Sequence, residues 1–281
     1  MRPTGAAQIA GVVGEPVAHS LSPSLMSAWI EAAGLNAVYT PYRVASDQAE
    51  VFFRALAATN CAGLNVTLPH KQTALAVSDE ASAAARAIGA ANLLTFHNGR
   101  IHADNTDAAG FLNALKARQV DPSRGPVLVL GAGGAARAIL YALVEGGAPE
   151  IRLSNRSRAN ARAIADDLAP GAQIYDWDRR NDALAGAALV VNATSLGLSG
   201  SEDLVFDWSR APADAVVADS VYKPLETGFL RDAAARGLKT IHGLGMLIGQ
   251  ARPSFEAFYG APPPESVEAE ALLLALLETP R

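Results

Sequence analysis

Cysteine is nearly absent: Cys61 stands alone in 281 residues. One thiol excludes an intrachain disulfide and any zinc site built on cysteines, and it suits a reducing interior. Aromatics are sparse at 6% and charged residues at 18%. With 23 basic against 28 acidic side chains the formal charge is −5. No basic block interrupts the chain, so nucleic acid is not an expected partner. No apolar run approaches the ~18 to 20 residues of a membrane-spanning helix, so no membrane partner is expected either. Arg2 leads through a short apolar run into a strand, not into a signal peptide. A cytoplasmic location is the expectation. The chain shows no internal repeat and no low-complexity segment.

Half of the residues are hydrophobic, with Ala, Gly and Val prominent, as in α/β proteins with buried parallel strands. Gln8–Gly14 is an apolar run bounded by glycine, and Ala37–Val44 and Gly63–Val66 follow it as further strands. Helices are expected from Ser22 to Gly34, over Asp47–Ala58 and, in two pieces, over Gln72–Ile88. In the first of these, Ser22 fits an N-cap with Pro23 in the first helical position. Capping explains Ser22 but not Ser20, two residues earlier.

The stretch GLNVTLPHK carries the densest polar chemistry. Pro69 has no N–H to donate, so the chain must leave the sheet there. Asn65, Thr67 and Lys71 then stand at one strand end. An amide, a hydroxyl and an ammonium suit a polyhydroxylated anion; the plainer reading is a polar strand end with Lys71 solvated. Asn98-Gly99 between two apolar runs predicts a hairpin over residues 92–104. Asn105 and Thr106 can cap a helix over Asp107–Ala117, in whose first turn Asp107 complements the helix dipole. The polar Asp121–Gly125 reads as a linker.

Beyond it, Val127–Leu130 runs into Gly131-Ala132-Gly133-Gly134-Ala135-Ala136 and then a helix. This is the G-x-G-x-x-G/A pattern between a buried strand and a helix, where backbone N–H groups can hold a pyrophosphate. A carboxylate ~20 residues further on would select NAD by holding the ribose 2′-OH. The chain instead reads Ser154-Asn155-Arg156-Ser157-Arg158. Two guanidiniums there attract a 2′-phosphate, so NADP is the expected cofactor. Leu189–Asn192 and Ala215–Asp219 are further buried strands whose C-terminal ends lead into Ala193-Thr194-Ser195 and Ser220-Val221-Tyr222. Gly243 to Gly260 is a glycine-rich turn and a helix, with polar Gln250 on an apolar face in need of a partner. A last apolar helix is expected over Val267–Leu277.

GEPVAHSLSPSL, NVTLPHK, IGAANLL, ADNTDAAGF, GAGGAARA, NRSRANA, NATSLG, DSVYKPLET and GLGMLIGQA stand in this order over nearly the whole chain. Together they resemble the shikimate dehydrogenase family. The resemblance implies two α/β domains: a substrate-binding domain over 1–105, completed by about 244–281, and a Rossmann NADP-binding domain over 106–243, with the active site between them. It implies Lys71 and Asp107 as the catalytic pair. Ser20 and Ser22 would hold the substrate carboxylate, and Asn65, Thr67, Asn92, Tyr222 and Gln250 would line the substrate. Gly131, Ala132, Gly133, Gly134 and Ala135 would wrap the pyrophosphate, with Asn155, Arg156, Ser157 and Arg158 at the adenosine phosphate. Thr194, Gly243 and Met246 would complete the cofactor site.

The implied reaction is reversible reduction of 3-dehydroshikimate to shikimate by NADPH in aromatic biosynthesis, by a monomer or homodimer, without a metal. A paralogue acting on quinate is the neighbouring reading, and a non-catalytic NADP-binding regulator the reading of another class. The chain departs from the family pattern at Met26-Ser27, Leu93, Ala103 and Asn160. Leu93 and Ala103 bear on the shape of the hydroxyl pocket.

Overall fold

A computed structural model describes residues 2–278 of the chain. It falls into two compact units: one runs to Thr106 and resumes at Gln250, and the other is Asp107–Gly249. Each is built on its own six-stranded sheet.

The first unit holds β1 (Gln8–Gly14), α1 (Ser22–Ala32), β2 (Ala37–Arg43), α2 (Ala49–Ala57), β3 (Cys61–Val66) and α3 (Lys71–Ala76). Then come β4 (Glu80–Ala81), α4 (Ala83–Ile88), β5 (Leu93–His97) and β6 (Arg100–Asp104). Sheet order is β2-β1-β3-β5-β6-β4. β1 pairs in parallel with β2 and β3, and β3, β5 and β6 then run antiparallel. Asn98 and Gly99 both take positive φ, 53° and 77°, the conformation a two-residue hairpin demands. Phe53, Leu64, Leu94 and Ile101 fill the core on one face. On the other, Trp29 meets Phe255 edge-on at 5.6 Å.

In the second unit α5 (Asp107–Ala117) precedes β7 (Val127–Leu130), α6 (Gly134–Glu145), β8 (Ile151–Ser154), α7 (Arg158–Leu168) and β9 (Gln173–Tyr175). β10 (Leu189–Asn192), β11 (Val216–Asp219), α8 (Gly228–Ala235) and β12 (Lys239–Ile241) follow. All strands are parallel, in the order β12-β11-β10-β7-β8-β9. From β7 the chain winds outward to β9, then returns to β10 on the other side. The ends of β7 and β10 therefore flank the switch point where such sheets take ligands. α9 (Leu244–Tyr259) and α10 (Ala269–Glu278) close the chain, and the unit boundary at residues 249 and 250 falls inside α9.

Several expectations are corrected. Ser22 is not an N-cap: helix α1 starts on it, the capping position is Leu21, and no side chain caps the turn. Asp121–Gly125 is not a linker but a short 3₁₀ turn inside the second unit, where α5 packs on α6. Strand β4 separates the two helical pieces expected over 72–88. β9, β12 and α8 had no counterpart in the sequence reading.

Candidate active site

In the first unit the strand ends converge. Thr67 follows β3 and its N–H bonds the Val13 carbonyl of β1 at 2.9 Å. A Cβ on Gly14 would lie 2.4 Å from Cγ2 of Thr67, so only glycine lets β1 end this close. The turn Thr67–His70 closes with His70 N–H on the Thr67 carbonyl at 3.0 Å, and α3 begins at Lys71. His70 is buried, its Nε2 2.8 Å from the Val44 carbonyl, which pins the helix start that carries Lys71. Ser20 Oγ accepts the Ser22 N–H at 3.3 Å. Ser22 itself is 6% exposed, and its hydroxyl bonds no described residue.

Asn65 and Asn92 are buried within a polar network. Asn65 Oδ1 accepts from the Tyr39 hydroxyl at 2.8 Å, and Nδ2 reaches Ser254 Oγ at 2.8 Å and the Asn92 carbonyl at 3.4 Å. Burial holds the Tyr39 phenol protonated, its pKa well above the ordinary value. Asn92 Oδ1 takes the Thr106 N–H at 2.7 Å, and Nδ2 faces Thr106 Oγ1 at 3.0 Å and Gln250 Oε1 at 3.4 Å. Thr106 and Ser254 hydroxyls both donate to the Gln250 carbonyl, at 3.1 and 3.0 Å. Gln250 thus has the partners its position demanded. The Ala91 N–H bonds the Lys71 carbonyl at 2.9 Å. Successive hydrogen bonds therefore run from Lys71 through residues 91–92 to Thr106, one residue before Asp107. Tyr39 and Ser254 were not singled out in the sequence, and Thr106 only as a helix cap; Ser254, four residues after Gln250 on one helix face, carried a readable signal.

In the second unit, register puts Leu130 opposite Ser154 and Asn192, and Asn192 opposite Asp219. Gly131, Asn155, Ala193 and Ser220 consequently all leave the sheet at one edge. Gly131 has φ 112°, and a Cβ there would meet the Ala193 carbonyl at 2.9 Å. At Gly133 and Gly134 nothing lies within 4 Å of the Cβ position, and no side chain caps α6. Ala132 and Ala135 are half-buried beside them. The open glycine turn and its uncapped N–H groups fit a pyrophosphate.

Beyond β8, Ser157 caps α7 by accepting the Asn160 N–H at 3.2 Å, and Asn155 Nδ2 holds the Ser157 carbonyl at 3.0 Å. Arg158 is paired with Asp176, Nη1 to Oδ1 at 2.5 Å. Arg156 is exposed and makes no hydrogen bond or ion pair among the described residues. The Thr194 hydroxyl bonds Asn192 Oδ1 at 2.7 Å. Gly243 backs onto the next loop, its Cβ position 2.5 Å from the Ser220 carbonyl. Burial raises the pKa of the half-buried Tyr222. Met246 is half-buried on α9. Among the described residues no cluster of three His, Cys, Asp or Glu could hold a metal, and no helix is long and apolar enough to cross a membrane.

A parallel sheet with an open glycine turn at its switch point, followed by an unpaired arginine after the second strand, defines a dinucleotide-dependent α/β oxidoreductase that takes NADP. Residues 12–94 match the shikimate dehydrogenase substrate-binding domain and residues 114–199 the shikimate/quinate 5-dehydrogenase model. The chain belongs to the shikimate dehydrogenase family. It is 51% identical to the NADP-dependent shikimate dehydrogenase of Maricaulis maris over 98% of both chains. The shikimate 5-dehydrogenase of Thermus thermophilus, solved with NADP(H) and shikimate, is 38% identical, with a TM-score of 0.86 over 95% of this chain and 99% of that one. The quinate dehydrogenase of Corynebacterium glutamicum, solved with NAD, is 30% identical, with a TM-score of 0.88 over 96% and 99%.

Proposed function

We propose that this chain catalyses the reversible NADPH-dependent reduction of 3-dehydroshikimate to shikimate, with Lys71 and Asp107 as its catalytic pair. The observation that carries the pairing is the run of hydrogen bonds from the Lys71 carbonyl through Ala91 and Asn92 to Thr106. It gives the lysine and the neighbour of Asp107 one rigid frame. Bound NADPH supplies the hydride. Lys71 stabilises negative charge growing on the carbonyl oxygen and exchanges its proton there, and Asp107 is the second proton-exchanging group.

The Ser22 hydroxyl, buried and unused by the protein, donates to the substrate carboxylate together with Ser20. Thr67, Tyr222 and Gln250 face the ring hydroxyls, and the network through Tyr39, Ser254 and Thr106 fixes the orientation of Asn65 and Asn92. The glycine turn with Ala132 and Ala135 holds the pyrophosphate; Arg156 holds the 2′-phosphate, with Asn155, Ser157 and Arg158 around it. Thr194, Gly243 and Met246 bound the nicotinamide end. The chain works in the cytoplasm, a reading supported by the free thiol of Cys61, as a monomer or homodimer.

Shikimate is favoured over quinate because two short serine hydroxyls leave little room at the carbon bearing the carboxylate. Quinate adds a hydroxyl there, and an unpartnered buried hydroxyl costs roughly 1 to 3 kcal/mol, about ten- to a hundred-fold in selectivity. Steady-state kcat/KM for both acids with NADP and with NAD tests this. The expected result is shikimate with NADP above all three other combinations. A quinate value equal to or above that for shikimate promotes the paralogue reading, and no turnover of either acid leaves the regulator.

A further inference from the structure

The strand ends β10 and β11 close on polar residues, Asn192 and Asp219, after runs of buried apolar ones. Both side chains are buried. Asp219 Oδ1 accepts from Asn192 Nδ2 and from the Val221 N–H, each at 2.9 Å. Its Oδ2 accepts from the Thr227 hydroxyl at 2.7 Å. Thr227 in turn caps α8 through the Leu230 N–H at 3.3 Å. On the far side, Asn192 Oδ1 takes both the N–H and the hydroxyl of Thr194, at 3.0 and 2.7 Å, and its Nδ2 also reaches the Leu196 carbonyl at 3.2 Å. One carboxylate thereby joins three segments: the 193–196 loop, the 220–222 loop that carries Tyr222, and the start of α8.

We propose that Asp219 is a positioning residue, which holds the Thr194 loop and the Tyr222 loop in fixed register over the strand ends by way of Asn192 and the Val221 amide. The proposal rests on the reading that these two loops serve cofactor and substrate. Its geometry is that of a tie, since each carboxylate oxygen is committed to a donor from a different segment. Loss of the carboxylate would leave the Asn192 amide, the Val221 N–H and the Thr227 hydroxyl without their shared acceptor, so the three segments would lose their common anchor.

Burial pushes the Asp219 carboxyl up to about 6, against the opposing pull of Thr227, Val221 and Asn192, so the carboxylate that makes the tie prevails at pH 8. Among the described residues no cation on the elements packed around it pairs with the charge. β10 offers the uncharged Asn192. β12 carries Lys239, whose Nζ bonds the Arg118 carbonyl at 2.5 Å, and is followed by the half-buried His242. On α8, Arg231 faces Asp232 at 3.7 Å, and the Asp203 carboxylate lies 2.9 Å from the Cβ position of Gly228.

The test compares the native chain with Asp219→Asn, which keeps one acceptor oxygen and the same shape, and with Asp219→Ala. In shikimate oxidation by NADP at pH 8, both variants should lose at least tenfold in kcat/KM. Asp219→Asn, which still offers one acceptor oxygen, should keep more of the native rate than Asp219→Ala. Hydrogen exchange supplies a readout independent of turnover: the Thr194 and Val221 amides should lose protection together in Asp219→Asn, while those of β7 and β8 keep theirs. Native kcat/KM in Asp219→Asn, or Thr194 protection unchanged while Val221 loses its own, overturns the proposal. Absence of native turnover with shikimate would instead overturn the functional reading, and the exchange result would still decide the tie.

Discussion

Arg156 and Arg158 are two residues apart, yet they stand in different electrostatic situations, and this ranks their contributions to cofactor choice. Arg158 shares its charge with Asp176 at 2.5 Å, both side chains being about half exposed at 54% and 53%. A phosphate that approached it would have to compete with a carboxylate already in place. Arg156 has no such partner to give up. A hydrogen bond to a charged group contributes about 1.5 to 3 kcal/mol, which at 1.4 kcal/mol per decade is roughly a ten- to 150-fold preference. Arg156→Ala is therefore expected to lower the NADP-to-NAD ratio of kcat/KM by that range. Arg158→Ala should lower it less than tenfold, because much of its charge is already neutralised. Asp176→Asn should raise the ratio by freeing Arg158. The assay is shikimate oxidation with each cofactor at one ionic strength, since surface charge effects are screened by salt. A larger loss in Arg158→Ala than in Arg156→Ala would refute the reasoning.

Lys71→Ala should cost ~10² to 10⁴-fold in kcat, the usual worth of a proton-transferring group, with an unchanged melting temperature; retention of most of the rate would make Lys71 a bystander. Asp219 gives a pH-dependent stability of known sign. Its folded pKa, raised from 3.8 to about 6, means the folded state binds more protons than the unfolded one between those values. Its contribution to stability accordingly falls as pH rises through that window, by about 3 kcal/mol at 1.36 kcal/mol per unit. Denaturant unfolding of the native chain minus Asp219→Asn should show this decline from pH 4 to 7, and a flat difference would contradict it. Gly249→Ala places a methyl 2.5 Å from the Gly110 carbonyl oxygen and 2.9 Å from its Cα. Overpacking against backbone should cost about 1 to 3 kcal/mol, read as a lower denaturation midpoint; native stability would show that the contact gives way freely.

The glycine turn was legible because it is local: strand, turn and helix follow within about 20 residues and each has its own signature. The NADP choice was legible from the arginines and the missing acid, but their ranking was not. Asp176 reaches Arg158 only because β9 pairs with β8, and β9 is three residues long, too short to register as a periodic pattern. Ser22 was misread because Ser-Pro at a helix start usually signals a cap; here the helix begins one residue early and the hydroxyl is left over. Asn65 and Asn92 were singled out as candidate site residues, but the partners that orient them were not, since Ser254 lies 189 positions from Asn65. Such a pairing is set by topology and has no local trace.

Ser254, Phe255 and Phe258 lie on the part of α9 that belongs to the first unit. The Phe258 ring comes within 2.7 Å of the Cβ position of Gly63, and Phe255 is fully buried beside Trp29. The amino-terminal unit therefore cannot seal its core from the residues that begin it. On the ribosome, residues 107–249 emerge complete while the first hundred still wait for a helix not yet translated. Multidomain chains ordinarily fold from the amino terminus as synthesis proceeds; here the order of completion is reversed. Of the two units, the one synthesised first stays open until residues 250–259 have been translated.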